Sequence, residues 1–378
     1  MSDVIVIGGG LAGCATAYYL AADGVTVTLI ERSDLNTLAS GSNAGSLHAQ
    51  IPHDPFVTKG EAWARVFAPT VGLLRRSIAL WRELPQVLGA DLEIGLGGGL
   101  LVAPNDEQMR DIERKAVFER EQGLPVEILD RPALRCIAPY LADHLVGGAF
   151  CAGEGKANPF LVAPAFAAAA QRLGAEIVRR TPVTAIVRDA TGFAVSTDKG
   201  VFKARRIVNA AGAEAGTIAA MLGIDLADVQ AFPIQASATE QVGPLVPHLL
   251  YFTGEKLTLK QNRAGTLLIG GGWPARRGRH GQPIADPDSL ARNLAVAVSV
   301  VPALAPIRIV RTWAAIVNGT EDWKPILGEM PRVPGFFLNF FPWMGFTAGP
   351  IAARIVASLV QGKEPPVDVD LAPFRPNA

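Results

Sequence analysis

Three glycines, Gly8, Gly10 and Gly13, follow the apolar run Asp3-Val4-Ile5-Val6-Ile7 and open a small-residue stretch reaching Ala22. The pattern G-x-G-x-x-G suits a bound pyrophosphate: the first glycine permits a tight turn, the second a close backbone approach, the third close helix–strand packing. Leu11 and Ala12 would begin a helix whose free N–H groups and positive dipole end face the phosphates. A second apolar run, Val25 to Ile30, ends at Glu31, eighteen positions beyond Gly13, where an acid can accept hydrogen bonds from ribose hydroxyls. Strand before, helix after and acid at this distance favour a dinucleotide site over a ligand-free turn. The motif by itself does not distinguish FAD from NAD.

These residues need a frame. The strand–turn–helix–strand start predicts a Rossmann-like, parallel βαβ unit. Helical spacing runs over 62–88, 108–122, 158–173 and 351–359, and strands are expected at 175–178, 183–187 and 206–210. Pro159 stands where a helix start tolerates a missing N–H. The stretch 231–272 reads as antiparallel, with the alternating run Lys256-Leu257-Thr258-Leu259-Lys260-Gln261. The 378 residues suggest more than one core, and 49% hydrophobic against 19% charged residues argues for a large interior. Lys+Arg and Asp+Glu balance at 35 each, so nothing draws a nucleic-acid backbone or an anionic membrane surface. Cys14, Cys136 and Cys151 form no C-x-x-C and no metal-ligand cluster; they read as reduced packing residues of a cytoplasmic protein. No signal peptide or transmembrane segment is expected.

Beyond Glu31-Arg32 comes Ala39-Ser40-Gly41-Ser42-Asn43-Ala44-Gly45-Ser46-Leu47, and later Val183, Asn209-Ala210-Ala211-Gly212 and Trp343-Met344-Gly345-Phe346-Thr347. With the glycine motif, these segments resemble the FAD-dependent D-amino-acid oxidase superfamily, which includes glycine and sarcosine oxidases, over nearly the whole chain. The resemblance implies an α/β, two-domain fold: a Rossmann-like FAD-binding domain (1–80, 145–225 and 305–378) interleaved with an antiparallel-sheet substrate domain (81–144 and 226–304). It implies non-covalent FAD, because the C-terminal part lacks the cysteine that carries covalent flavin in monomeric sarcosine oxidases. Ser40, Ser42, Asn43 and Ala44 would line pyrophosphate and isoalloxazine, and Val183 would hold the adenine side through its backbone. Trp343, Met344, Gly345, Phe346 and Thr347 would meet the ring from the C-terminal end. Gly349-Pro350 is expected to open the last helix toward the N1–C2=O edge, which becomes negative on reduction.

One departure matters. Glycine and sarcosine oxidases carry a carboxylate-clamping arginine in the segment matching Trp313 to Asp322, and here that position is Val317. Valine cannot replace a bidentate, charge-assisted pair. Ser46-Leu47-His48-Ala49-Gln50 is similar to the flavoprotein β subunits of bacterial opine (octopine or nopaline) and related proline or hydroxyproline dehydrogenases. That likeness implies partner subunits that relay electrons, with FMN or an iron–sulfur cluster among them.

Candidate catalytic side chains are His48, beside the flavin loop, and Tyr251, Lys260 and Gln261, on the sheet that roofs the pocket in this superfamily. His48 is read equally as a substrate or flavin contact and as a hydrogen-bonded structural residue. A lysine on an alternating strand is more commonly solvated, yet Lys260 could pair with a carboxylate. The run Arg276, Arg277, Arg279 reads first as a solvated loop and second as a contact to a carboxylate-rich substrate or a partner. The chemistry implied is oxidation of a C–N bond by hydride transfer to flavin N5, in an amino acid or secondary amine. The preferred reading is the catalytic β subunit of a dehydrogenase complex. The alternatives are a stand-alone oxidase producing peroxide and a non-catalytic FAD electron-transfer subunit.

Overall fold

The computed structural model describes Ser2 to Pro376. Strand β1 (Ser2–Ile7), helix α1 (Leu11–Ala22) and strand β2 (Val27–Ile30) form the expected βαβ unit, with β1 and β2 parallel and Val4 opposite Val27. Every side chain from Val4 to Ile7 is buried, because both faces of the sheet are covered. Val4 and Val6 pack with α1 and the C-terminal helix Gly345–Val360, whereas Ile5 and Ile7 pack against the hairpin Val183–Asp189/Gly192–Thr197 and the helix Ala215–Ala220. Across the sheet the parallel order is Phe336–Phe340, Gly200–Asn209, β1, β2 and Glu176–Val178, with antiparallel Ile326–Glu329 on one edge.

The second sheet has eight strands in the order Ile309–Gly319, Gln230–Gln241, Thr266–Pro274, Thr258–Gln261, Leu249–Phe252, Gly99–Ala103, Gly147–Cys151 and Val126–Asp130. All its neighbours are antiparallel except Leu249–Phe252 with Gly99–Ala103. Strands Gly147–Cys151 and Ile309–Gly319 therefore belong to this sheet, although boundaries at 145 and 305 assigned them to the FAD-binding part. The interleaving is finer than those boundaries.

The helix expected from residue 62 begins at His53 and runs to Leu88, bent where Gly60 adopts φ 78°. That backbone value favours glycine, and it explains why the helical spacing starts only beyond it. The last helix starts at Gly345 instead of at Gly349-Pro350, so Pro350 lies inside it, one turn from the start. A Cβ on Gly349 would stand 2.7 Å from Leu11 Cδ2: this glycine serves the packing of the last helix on α1. Cys14 and Cys151 are buried, but Cys136 is exposed and is not a packing residue.

Candidate active site

At the glycine turn Gly8 has φ 113°, and a Cβ there would meet Ala210 O at 2.5 Å. A Cβ on Gly13 would meet Gly8 O at 1.9 Å, so the helix can lie this close to the strand only without a side chain. Gly10 caps α1 and, having no side chain, offers no cap of its own to the helix end. The Glu31 carboxylate, buried at the end of β2, accepts Gly9 N–H at 2.6 Å and Ser33 N–H at 2.7 Å; a carboxylate has lone pairs left for ribose hydroxyls. Ala210 and Ala211 close the turn from the neighbouring strand, through Ala210 N–H to Ile7 O at 2.9 Å, and Gly212 begins the following short helix. Val183 starts its strand opposite Thr197 at a register shift. Arg32 points outward and pairs with Glu214 at 3.5 Å, with its side chain 47% exposed.

The loop after β2 is held from all sides. Ser40 Oγ accepts Leu11 N–H at 2.9 Å, tying the loop to the helix start. Asn43 Nδ2 donates to Ser40 O at 2.6 Å while its Oδ1 accepts Gly45 N–H at 2.7 Å, an Asx turn that Gly45 continues with φ 78°. Trp313 Nε1 donates to Ser42 O at 2.7 Å. Ser46 and Leu47 pair antiparallel with Gly155 and Lys156. From the C-terminal end, Thr347 Oγ1 accepts His48 N–H at 3.0 Å and contacts Ser46 O at 3.2 Å, while Thr347 O receives Ser77 Oγ at 2.5 Å and Trp81 Nε1 at 2.8 Å. Sequence positions about 300 apart thus meet at one point.

A cavity of about 340 Å³ opens here. It is lined by Ser42, Asn43, Ala44, Ser46 and His48 of the loop after β2, by Trp343, Met344 and Phe346, by Tyr251, Thr258 and Gly270 to Gly272, and by Trp313, Val317 and Trp323. Trp343 sits at φ 56°, stacked on Trp323 at 5.0 Å between ring centres and lying against Gly319, where a Cβ would meet its ring at 2.3 Å. A non-glycine residue in this left-handed region is held there by its surroundings. Glycine cradle, a helix start with no side chain at its cap, acid at β2 and an aromatic-lined cavity together suit FAD.

The four expected catalytic side chains separate. His48 and Tyr251 both face the cavity, their ring centres 6.0 Å apart. Burial and the neighbouring Lys260 charge push the His48 imidazole down to about 4, so it is neutral at physiological pH. Lys260 is not solvated: it is fully buried, donates to Ser46 Oγ at 2.5 Å, and burial with the nearby Lys156 brings its amine down to about 7. It lines a second cavity of about 280 Å³ behind the flavin loop instead of the larger one. Gln261 faces neither cavity. Its Oε1 accepts Leu245 and Val246 N–H, and its Nε2 donates to Val242, Gly243 and Gly265 carbonyls, which fixes a turn. The Arg276–Arg279 run lies at the surface: Arg276 pairs with Asp286 at 2.7 Å, Arg277 donates to Ala231 O, and none of the run reaches the cavity.

Sequence reasoning missed Glu154, a buried carboxylate under the His48–Gln50 segment, and the buried Lys115–Glu119 pair, whose Glu119 accepts Ile51 N–H at 2.7 Å. It also missed Trp323. Glu154 stands between two glycines in a segment with no motif, and only strand pairing brings it beneath residue 49.

A family model described as FAD dependent oxidoreductase (DAO) matches residues 3–359. Glycine oxidase of Geobacillus kaustophilus is 30% identical over 98% of this chain and 96% of its own; its crystal structure superposes with a TM-score of 0.84 at 28% identity, over 99% and 98% of the two chains. The sarcosine oxidase beta subunit of an Arthrobacter species is 27% identical over 96% of this chain and 87% of its own. An opine oxidase subunit of Rhizobium meliloti is 27% identical over 98% and 96%. The glycine cradle, the aromatic slot and these relatives agree: this chain belongs to the DAO family and is an FAD-dependent oxidoreductase.

Proposed function

We propose that the protein oxidises the C–N bond of an amino acid or secondary amine, an opine, imino acid or D-amino acid, and that it does so as the catalytic subunit of a dehydrogenase complex. The observation that carries the substrate class is the larger cavity, whose lining combines Trp313, Trp323, Trp343 and Phe346 with polar groups such as His48, Tyr251 and Gln50, and has Val317 where a clamp was expected. FAD, when bound, supplies the hydride acceptor at N5, and the resulting imine hydrolyses. This chain's residues position the substrate carbon and exclude water from it, through Trp313, Trp323 and Trp343; the neutral His48 adds no charge. Without an arginine at 317, a small amino acid finds no clamp on that wall.

The assignment to a complex draws on two relatives that are themselves named as subunits, of an opine oxidase and a sarcosine oxidase. A stand-alone oxidase is the second reading, favoured by glycine oxidase at 30% identity. Three unpaired cysteines suit a reducing compartment, and we place the protein in the cytoplasm. The test is anaerobic flavin reduction of the purified holoenzyme by opines, prolines, D-amino acids, sarcosine and glycine. Secondary amines with extended polar arms should reduce the flavin far faster than glycine, with slow peroxide release in air. Equal rates with glycine refute the substrate class; rapid peroxide-forming turnover by the isolated chain refutes the role within a complex.

A further inference from the structure

Glu154 is fully buried in the turn between Gly147–Cys151 and Gly155–Lys156. Its Oε1 accepts Ala49 N–H at 2.5 Å and Gln50 N–H at 2.7 Å; its Oε2 accepts Gln50 Nε2–H at 3.0 Å and lies 3.3 Å from the Tyr251 hydroxyl. A Cβ on Gly99 would meet Oε2 at 1.8 Å, so the room for this carboxylate depends on a glycine. Three of the four partners are N–H groups with no lone pair to offer, a shell built for the ionised acid. Burial raises the Glu154 pKa and those N–H donors oppose it, while Tyr251 is held well above its ordinary value and stays a phenol.

A phenol has one proton. Given to Glu154, it leaves only oxygen lone pairs for the cavity that Tyr251 lines. We propose that Glu154 is a positioning residue that sets the polarity of the substrate cavity: by accepting the Tyr251 hydrogen bond it turns the Tyr251 oxygen into an acceptor for the substrate's N–H, and not a donor to its carboxylate. This rests on the assignment of the larger cavity to an amine substrate. Lys256, 49% exposed, and Asp54 also line the cavity and pair with each other at 3.8 Å, so the direction rests on Tyr251. The substrate therefore turns its amine, and not its carboxylate, toward Tyr251.

The test titrates oxidised, FAD-saturated enzyme anaerobically with methylamine and with acetate, following the perturbation of the flavin absorption band. Tyr251→Phe should weaken methylamine about tenfold, the worth of one hydrogen bond to a charged group, and leave acetate unchanged. In Glu154→Gln the new amide can donate to the Tyr251 oxygen, and the Gln50 amide, which now donates Nε2–H to that site, turns over so that its partnerless Oε1 accepts the other N–H. The freed phenol proton should then tighten acetate and weaken methylamine by several-fold each, and the double variant with Tyr251→Phe should lose both changes. Tyr251→Phe that weakens acetate and spares methylamine overturns the polarity, and decides the matter even if Glu154→Gln does not fold. Equal Glu154→Gln effects in both backgrounds overturn it too, as purely structural. If neither ligand perturbs the flavin, the amine-site assignment fails, and this inference fails with it.

Discussion

Lys260→Met isolates a buried charge. The methionine keeps most of the stem's volume and removes the amine that donates to Ser46. A fall from the ordinary 10.5 to about 7 means that folding disfavours the ammonium by about 5 kcal/mol at 1.36 kcal/mol per pKa unit. The unfolded lysine keeps its proton up to about 10.5, whereas the folded one releases it near 7. In that window the unfolded state binds more protons, so wild-type stability rises with pH; below 7 both states hold the proton and the penalty is complete. Losing the Ser46 hydrogen bond costs the variant roughly 1 kcal/mol. At pH 6 the variant should thus be more stable by up to about 4 kcal/mol, and at pH 9.5 most of that lead, about 3 kcal/mol, should be gone. The assay is urea unfolding of both proteins under saturating FAD at the two pH values. A difference between variant and wild type that is the same at both refutes the buried, depressed amine. Because Lys260 lines the smaller cavity, the affinity for substrate should not follow the mutation.

Gly13→Ala should give soluble or aggregated protein without flavin, read from the flavin-to-protein absorbance ratio, because the added methyl falls 1.9 Å from Gly8 O. Gln261→Leu should leave the rate of anaerobic flavin reduction unchanged while lowering stability by roughly 2–4 kcal/mol in urea unfolding, since it strands the amides and carbonyls of the 242–246 turn. Val317→Arg should bring a cation to the cavity wall and raise the apparent affinity for glycine at least several-fold in flavin-reduction titrations.

The N-terminal βαβ unit was legible because its physics is local: an apolar run, three glycines at fixed offsets and one acid, all within the first 31 residues. The loop 39–47 stood out by its order of small and polar residues, and the structure ties it to the start of α1 and to the last helix. What escaped depended on pairing across the chain. Lys260 reads as an alternating-strand lysine, but its strand lies fourth in an eight-stranded sheet with the flavin loop over it, so both Leu259 and Lys260 are buried. Gln261 carries the polarity of a site residue and spends it on a neighbouring turn. The strand Ile309–Gly319 lies in the span expected for the FAD-binding domain yet pairs with Gln230–Gln241 along its length, and its Trp313, Ala315 and Val317 line the cavity. Pro350 resembles a helix start, and only the tertiary contact of Gly349 with Leu11 explains why the pair sits one turn inside.

The bend at Gly60 divides one long helix between two employments. Its opening turns, His53 to Pro55, border the larger cavity, while Ser77 and Trp81 further along grip the Thr347 carbonyl behind the flavin slot. A continuous rod would transmit any change at its tip to the cofactor support. With a joint between, the first segment is free to vary in shape and sequence as substrates change, and the cofactor's scaffold keeps its register. A lineage could exchange one amine for another at this end of the helix without relearning how to hold its flavin.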